Sequence, residues 1–199
     1  MKTFWRALVC AIMLQIWGSL PVHAVELKVS REALERTLKQ QLFSGPNGRF
    51  YLKGTERSAC SVYADDAKVT FIQDRIVVKV KTRARMGTSV GGSCLGISLS
   101  PTAEVSVAPY GEGESIGFRD AQLLKVSGQR ELNFLLTPFL SQQVPSSMKV
   151  DAADLLRKAL EGSTGSSGYK VSLERLRVHS MQIHTDTLVV DVDGDISVK

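Results

Sequence analysis

The sequence predicts an α+β domain in which a long, strongly twisted antiparallel sheet wraps around a helix. Three observations support this prediction. Residues 75–86 alternate between an apolar and a largely cationic face, as a half-buried strand does. Leucine-rich stretches repeat every three to four residues, the period of an amphipathic helix. The order strand–helix–strands–helix–helix–strands shows no internal repeat and no linker, so we expect residues 25–199 to form one domain.

Residues 1–24 have the features of a cleaved export signal. Lys2 and Arg6 precede a nearly uncharged apolar run, which ends in the small-x-small pattern Val22-His23-Ala24. We predict cleavage after Ala24 and a periplasmic or secreted mature chain. An uncleaved membrane anchor is the alternative, but the apolar run is shorter than the roughly 20 residues that a spanning helix needs.

Removal of this segment changes the composition that bears on function. The net charge falls from +5 to +3, and both tryptophans and Cys10 are lost. The pair that remains, Cys60 and Cys94, predicts one disulfide in an oxidising compartment. A reactive or metal-binding thiol pair is the alternative. The small net charge, without interleaved aromatic side chains, does not favour nucleic acid as a partner.

The predicted helices follow from leucine spacing and capping residues. After a short strand at 25–29, Ser30 is a good N-cap for a helix that the Gly- and Pro-containing segment 44–48 ends. A second apolar stripe spans 132–140, where Pro138 marks either a kink or a start and Pro145 the end. A third helix begins at Asp151 and is predicted to stop at Gly162.

The predicted strands have period-two alternation. They cover 68–73, 75–86, 95–107, 169–173, 176–184 and 188–192. Asp193-Gly194 is a strong signal for a two-residue hairpin. Long antiparallel strands with one apolar face must curl around another element or close on themselves, so we expect the sheet to enclose the second helix.

Three stretches of this pattern resemble small bacterial envelope proteins of the YceB-like type. They are Leu27–Leu38, then Ile116–Leu123 running into Leu135–Leu140, and then Leu155–Leu160 followed by closing strands. The resemblance implies the tubular lipid-binding (TULIP, BPI-like) architecture, in which many members hold lipid. YceB-like proteins are usually lipoproteins. Here Val9 precedes Cys10, where lipid attachment needs a small residue, so we predict a soluble relative.

Two surfaces are candidate binding sites. The first is an apolar groove for a lipid or acyl chain, lined by Leu135, Phe139, Leu140, Val78, Val80, Ile97 and Leu99. The same side chains would otherwise form a filled core. The second is a cationic strand face that would contact an anionic membrane surface or an envelope protein, formed by Lys79, Lys81, Arg83 and Arg85. A solvated outer face is the alternative for these cations.

No pattern indicates catalysis. His179 and His184, the only histidines in residues 25–199, lie five positions apart and point to opposite faces of a strand. The chain lacks a Gly-x-Ser-x-Gly elbow, and Asp191–Asp195 lacks the spacing of a calcium loop. We therefore predict a non-catalytic lipid-binding protein without metal or cofactor. An assembly module with a filled core is the alternative, and a secreted hydrolase ranks third.

Overall fold

The computed structural model describes residues 24–127, 132–167 and 169–198. The predicted export signal, apart from Ala24, lies outside these residues and stays a prediction. Within the described ranges, every helix is too short or too polar to cross a bilayer.

The described residues form ten strands and four α-helices. The strands are β1 Ala24–Ser30, β2 Phe50–Lys53, β3 Ser61–Ile72, β4 Arg75–Val90, β5 Ser93–Leu99, β6 Thr102–Glu112, β7 Ser115–Val126, β8 Val150–Asp151, β9 Val171–His184 and β10 Thr187–Val198. The helices are α1 Arg31–Gln41, α2 Asn133–Pro138, α3 Val144–Ser147 and α4 Ala152–Ser167. A π-helical turn, Phe139–Gln143, joins α2 to α3.

The strands divide into two sheets, in which every described pairing is antiparallel. One sheet has the order β1-β10-β9, and the other has the order β2-β3-β4-β6-β7-β8 with β5 paired to β4. The α+β class is therefore confirmed, with two sheets instead of one. The predicted strand at 95–107 is two strands, because Pro101 interrupts it: β5 pairs with the end of β4, and β6 pairs with its beginning.

Strand β4 has the two faces that its sequence predicts. Ile76, Val78 and Val80 are fully buried on one face, whereas Lys79 and Lys81 are exposed on the other. This strand therefore forms the centre of the larger sheet, with one side against the core.

Helix α1 begins and packs as predicted. The Ser30 hydroxyl accepts a hydrogen bond from the Ala33 amide at 3.2 Å, which caps the first turn. Leu34 and Leu38 are fully buried beneath it. The Glu35 carboxylate accepts a hydrogen bond from the Val69 amide at 2.9 Å, so α1 is also tied to β3.

The second helical region differs from its prediction. The chain stays helical through both Pro138 and Pro145. Pro138 ends α2, and a wider π-helical turn follows it directly. Pro145 lies in the first turn of α3, directly after the π-helical turn, and the first turn of a helix is where proline is best tolerated. This helical run therefore does not break at Pro145.

Two other sequence predictions are wrong. Helix α4 continues to Ser167, beyond the predicted stop at Gly162. The C-terminal hairpin turns at Thr185-Asp186 instead of Asp193-Gly194, and β10 passes straight through Gly194, which pairs with Leu176. The apolar alternation of β10 holds it against β9 beyond this point, so the local turn preference is overridden.

One hydrophobic core connects both sheets with the helices. It includes Leu188 and Val190 from β10, Val78 from β4 and Leu136 from α2. The Phe50 ring of β2 stacks on Phe139 of the π-helical turn, with 5.0 Å between ring centroids. The helical run therefore belongs to the same core as the sheets.

Candidate functional site

The predicted apolar groove is largely occupied by protein. Val78, Val80, Phe139 and Leu140 each expose at most 4% of their surface. All four belong to the one hydrophobic core cluster. The other three predicted lining residues lie further out: Leu135 and Leu99 are half-buried, and Ile97 is exposed on β5. These seven side chains do not converge on an open groove in this structure, and ligand binding by them stays a prediction.

The cationic face of β4 is partly neutralised by its neighbours. Lys79 Nζ lies 3.0 Å from a carboxylate oxygen of Glu104, and Lys81 Nζ lies 2.6 Å from Asp66. The hydrogen bond from Lys81 lowers the pKa of the Asp66 carboxyl group and raises that of Lys81. These two lysines therefore already contact carboxylates of the neighbouring strands.

The other two predicted cations are less engaged. Arg83 Nε lies 3.9 Å from Asp65, at the outer limit of an ion pair. Within the described part of the chain, the guanidinium of Arg85 has no ion pair or hydrogen bond. Three of the four predicted cations thus have a carboxylate within 4 Å, and among the described residues Arg85 has none.

An open cleft of about 450 Å³ lies between α4 and the start of β9. Its lining is mainly apolar and includes Leu160 of α4 with Val171 and Leu173 of β9. The charged side chains of its lining are two cations and one anion, Arg157, Lys170 and Glu161. The cleft therefore combines apolar surface with a charged rim in which cations outnumber anions, which suits a ligand that has an apolar chain and an anionic end.

Neighbouring side chains extend the apolar surface of this cleft. On β10, Ile196 pairs directly with Leu173, and Val198 pairs with Val171. Directly paired residues share a face of the sheet. Ile196 and Val198 expose 46% and 61% of their surface. A ligand in the cleft therefore has further uncovered apolar surface beside it.

Helix α4, which forms one wall of the cleft, is anchored at its N-terminal end. The Asp151 carboxylate accepts a hydrogen bond from the Asp154 amide at 2.8 Å, so the predicted N-cap is present. The backbone oxygen of Glu114 accepts hydrogen bonds from the amides of Ala152 and Ala153. The Glu114 side chain also pairs with Arg157 at 3.2 Å. These contacts fix one wall of the cleft to the β6–β7 turn.

Sequence reasoning did not find this cleft. The apolar stripe of α4 and the alternation of β9 are both visible in the sequence, but neither pattern indicates that the two elements leave a gap between them. What brings them together is the packing of α4 against β9, and no local pattern specifies how far the strand lies from the helix.

The disulfide prediction is confirmed. Cys60 and Cys94 are bonded, with their Cα atoms 5.0 Å apart. The bond ties β5 to the residue just before β3. It restrains the β4–β5 hairpin, which exposes much of both its faces.

The described residues form no cluster with metal-binding geometry. They contain no group of three or more His, Cys, Asp or Glu side chains placed to hold a metal ion. His179 Nδ1 lies 3.7 Å from Asp193, in an exposed pair across β9 and β10. Asp193 belongs to the acidic segment 191–195, so one carboxylate of that segment already lies beside a histidine.

Comparisons with known proteins place the chain in no family. No model of a known protein family matches it, and no curated protein matches it in sequence. Among solved structures, it is similar to a lipopolysaccharide binding protein, with 14% sequence identity and a TM-score of 0.33. The similarity covers 89% of this chain and 51% of that one, so this chain spans about half its length. The resemblance to YceB-like proteins stays a prediction.

Proposed function

We propose that this protein binds a single-chain amphiphile, such as a fatty acid, in the cleft between α4 and β9, and that it performs no chemistry on it. The observation that carries the proposal is the cleft of about 450 Å³ with a mainly apolar lining, two cationic side chains and one acidic side chain, Glu161. This volume is within the usual range for small-molecule sites.

The cleft replaces the predicted groove as the binding site in this proposal. Leu140 and Val78 are buried without any ligand, so a chain entering between them would have to displace well-packed side chains. In contrast, Val171 and Leu160 are only partly covered. Binding in the cleft removes apolar surface from water without opening the core.

The expected affinity follows from the chemistry of the ligand. Each buried methylene contributes about 0.8 kcal/mol, so about ten of them supply about 8 kcal/mol before the cost of association. That corresponds to dissociation constants in the micromolar range or weaker. Lys170 would attract the carboxylate end of the ligand, whereas Arg157 already pairs with Glu114, and this attraction would weaken with added salt.

The proposal includes export and a rolled architecture. The Cys60–Cys94 disulfide supports an oxidising compartment, in agreement with the export signal predicted in residues 1–24. The shared core of both sheets and the helical run supports a sheet that rolls around that run. We infer a periplasmic or secreted binding protein of TULIP-like form.

A fluorescence titration with cis-parinaric acid, followed by displacement with lauric acid, tests the proposal. V171D places a charge in the apolar lining, and we expect it to weaken binding at least tenfold. V90D is the matched control, because Val90 lies in β4 and is 53% exposed. K170E should weaken binding more modestly, with K125E, another exposed lysine, as its control. Melting temperatures establish that each variant is folded.

Two results would contradict this assignment. If the wild-type protein shows no saturable fluorescence change, it does not bind the fatty acid. Equal weakening by V171D and V90D would locate binding outside the cleft, because only the first substitution alters its lining.

An assembly role is the second candidate, because the β4–β5 hairpin exposes apolar side chains. Leu95 and Ile97 expose 61% and 46% of their surface on β5. A photo-crosslinking residue at position 95, incorporated in living cells, would give one discrete protein adduct if this hairpin binds a partner. A smear or no adduct would exclude that role for the hairpin.

A further inference from the structure

We infer that a recess on the outer face of the larger sheet, beside the disulfide, binds a phosphate monoester. The recess has a volume of about 310 Å³ and is lined by Ser61, Tyr63, Arg83, Ala84, Arg85, Ser98, Leu99 and Ser100. It is separate from the cleft of the proposed function and shares no lining residue with it.

Strand register explains why these side chains converge. Ser61 of β3 and Ser98 of β5 both pair with Arg85 of β4, so the three residues form one row across the sheet. Tyr63 pairs with Arg83 in a neighbouring row. Residues two apart on a strand are about 7 Å apart and share a face, so both guanidinium groups can reach one ligand.

Charge around the recess is unbalanced. Arg83 and Arg85 line it, and the guanidinium of Arg49 lies over the Tyr63 ring, 4.5 Å from its centroid. The one carboxylate paired with these cations in the described chain is that of Asp65, 3.9 Å from Arg83. Arg85 itself has no partner there, in contrast to Lys79 and Lys81 on the same strand face. This excess of positive charge favours an anion as the ligand.

The donor set favours phosphate over a carboxylate. A carboxylate is satisfied by one guanidinium fork, whereas a phosphate monoester presents three terminal oxygens. Two arginines and the hydroxyl groups of Ser61, Ser98 and Ser100 can donate to all three. Ser61 and Tyr63 expose only 4% and 8% of their surface, so the floor of the recess is sheltered from water. Hydrogen bonds donated from this floor are stronger than they would be in water, whereas Arg83 and Arg85 stay exposed, where a ligand can reach them from solvent.

Isothermal titration calorimetry of the full chain with glycerol 3-phosphate tests the inference. We expect saturable binding that R85Q weakens at least tenfold. R85K, which keeps the charge but loses the fork, should weaken it by an intermediate factor. K79Q is the matched control, since it removes one charge from the same strand face outside the recess, and it should change binding less than twofold.

Vesicles distinguish a free phosphate ester from a lipid head group. Phosphatidylcholine vesicles with and without phosphatidic acid present the same monoester at a surface. Binding that needs phosphatidic acid and is lost in R85Q supports the recess and assigns the ester to a lipid. Binding to glycerol 3-phosphate alone supports it with a soluble ligand.

Two results would overturn the inference. One is the absence of binding in both formats. The other is equal weakening by K79Q and R85Q, which would show diffuse attraction to the cationic face. Neither result affects fatty-acid binding in the cleft, which V171D tests separately.

Discussion

Leu140→Ala tests whether the predicted groove is core or binding site. Leu140 lies in the π-helical turn and exposes 1% of its surface. The substitution removes three carbon atoms from a packed interior. At about 0.8 kcal/mol for each buried group this is about 2.4 kcal/mol, and the cavity left behind raises the loss to about 3 kcal/mol.

Leu155→Ala is the matched control. Leu155 also lies in a helix, but it exposes 43% of its surface. Because little apolar contact is lost and alanine favours helix, we expect the free energy of unfolding to change by less than about 1 kcal/mol.

Urea unfolding followed by far-ultraviolet circular dichroism measures both variants. Residues 25–199 contain no tryptophan, so circular dichroism is the practical signal. The assignment of Leu140 to the core is refuted if the free energy of unfolding of Leu140→Ala lies within about 1 kcal/mol of the wild-type value while fatty-acid binding is weakened. That result would make Leu140 a ligand contact in an open groove.

Three further predictions concern stability and titration. Replacing Cys60 and Cys94 with serine removes a bond across 34 residues and should cost about 3–4 kcal/mol in urea unfolding; an unchanged midpoint would contradict this. Thr82→Val should stabilise the fold by about 1 kcal/mol, because the buried Thr82 hydroxyl has no hydrogen-bond partner in the described chain; destabilisation would argue for an unseen partner. Lys81→Met should raise the pKa of Asp66, observed by NMR, because the Lys81 hydrogen bond lowers it. The stability linked to Asp66 is present above its unfolded-state pKa and is lost as the pH falls through the folded-state pKa. An unchanged pKa of Asp66 would show that Lys81 does not cause its lowering.

Periodic patterns predicted much of the fold. The two faces of β4 and the capped helix α1 follow from local spacing, and the disulfide follows from the parity of cysteines in an exported chain. Those features depend on the residues themselves or on their immediate neighbours. Tertiary packing does not change them.

Predictions failed where long-range pairing outweighs a local signal. Asp193-Gly194 has the composition of a tight turn, but its strand continues to pair with β9 and the turn forms at Thr185-Asp186. Pro145 was expected to end a helix but lies near the start of one, where proline is well tolerated.

The candidate sites were harder to predict than the fold. The apolar alternation of β4 identifies the buried face, but it does not show whether helices fill the space beside it. Likewise, Ser61, Arg85 and Ser98 can be placed in one row only when the register of three strands is known, and the sequence does not specify that register.

Native mass spectrometry shows directly whether the protein carries an amphiphile. The full chain would be expressed with its N-terminal segment and purified without detergent, then sprayed before and after incubation with lauric acid. We expect one fatty-acid adduct per chain, retained in V90D and lost in V171D. A spectrum that shows only the apo mass under both conditions would contradict amphiphile binding.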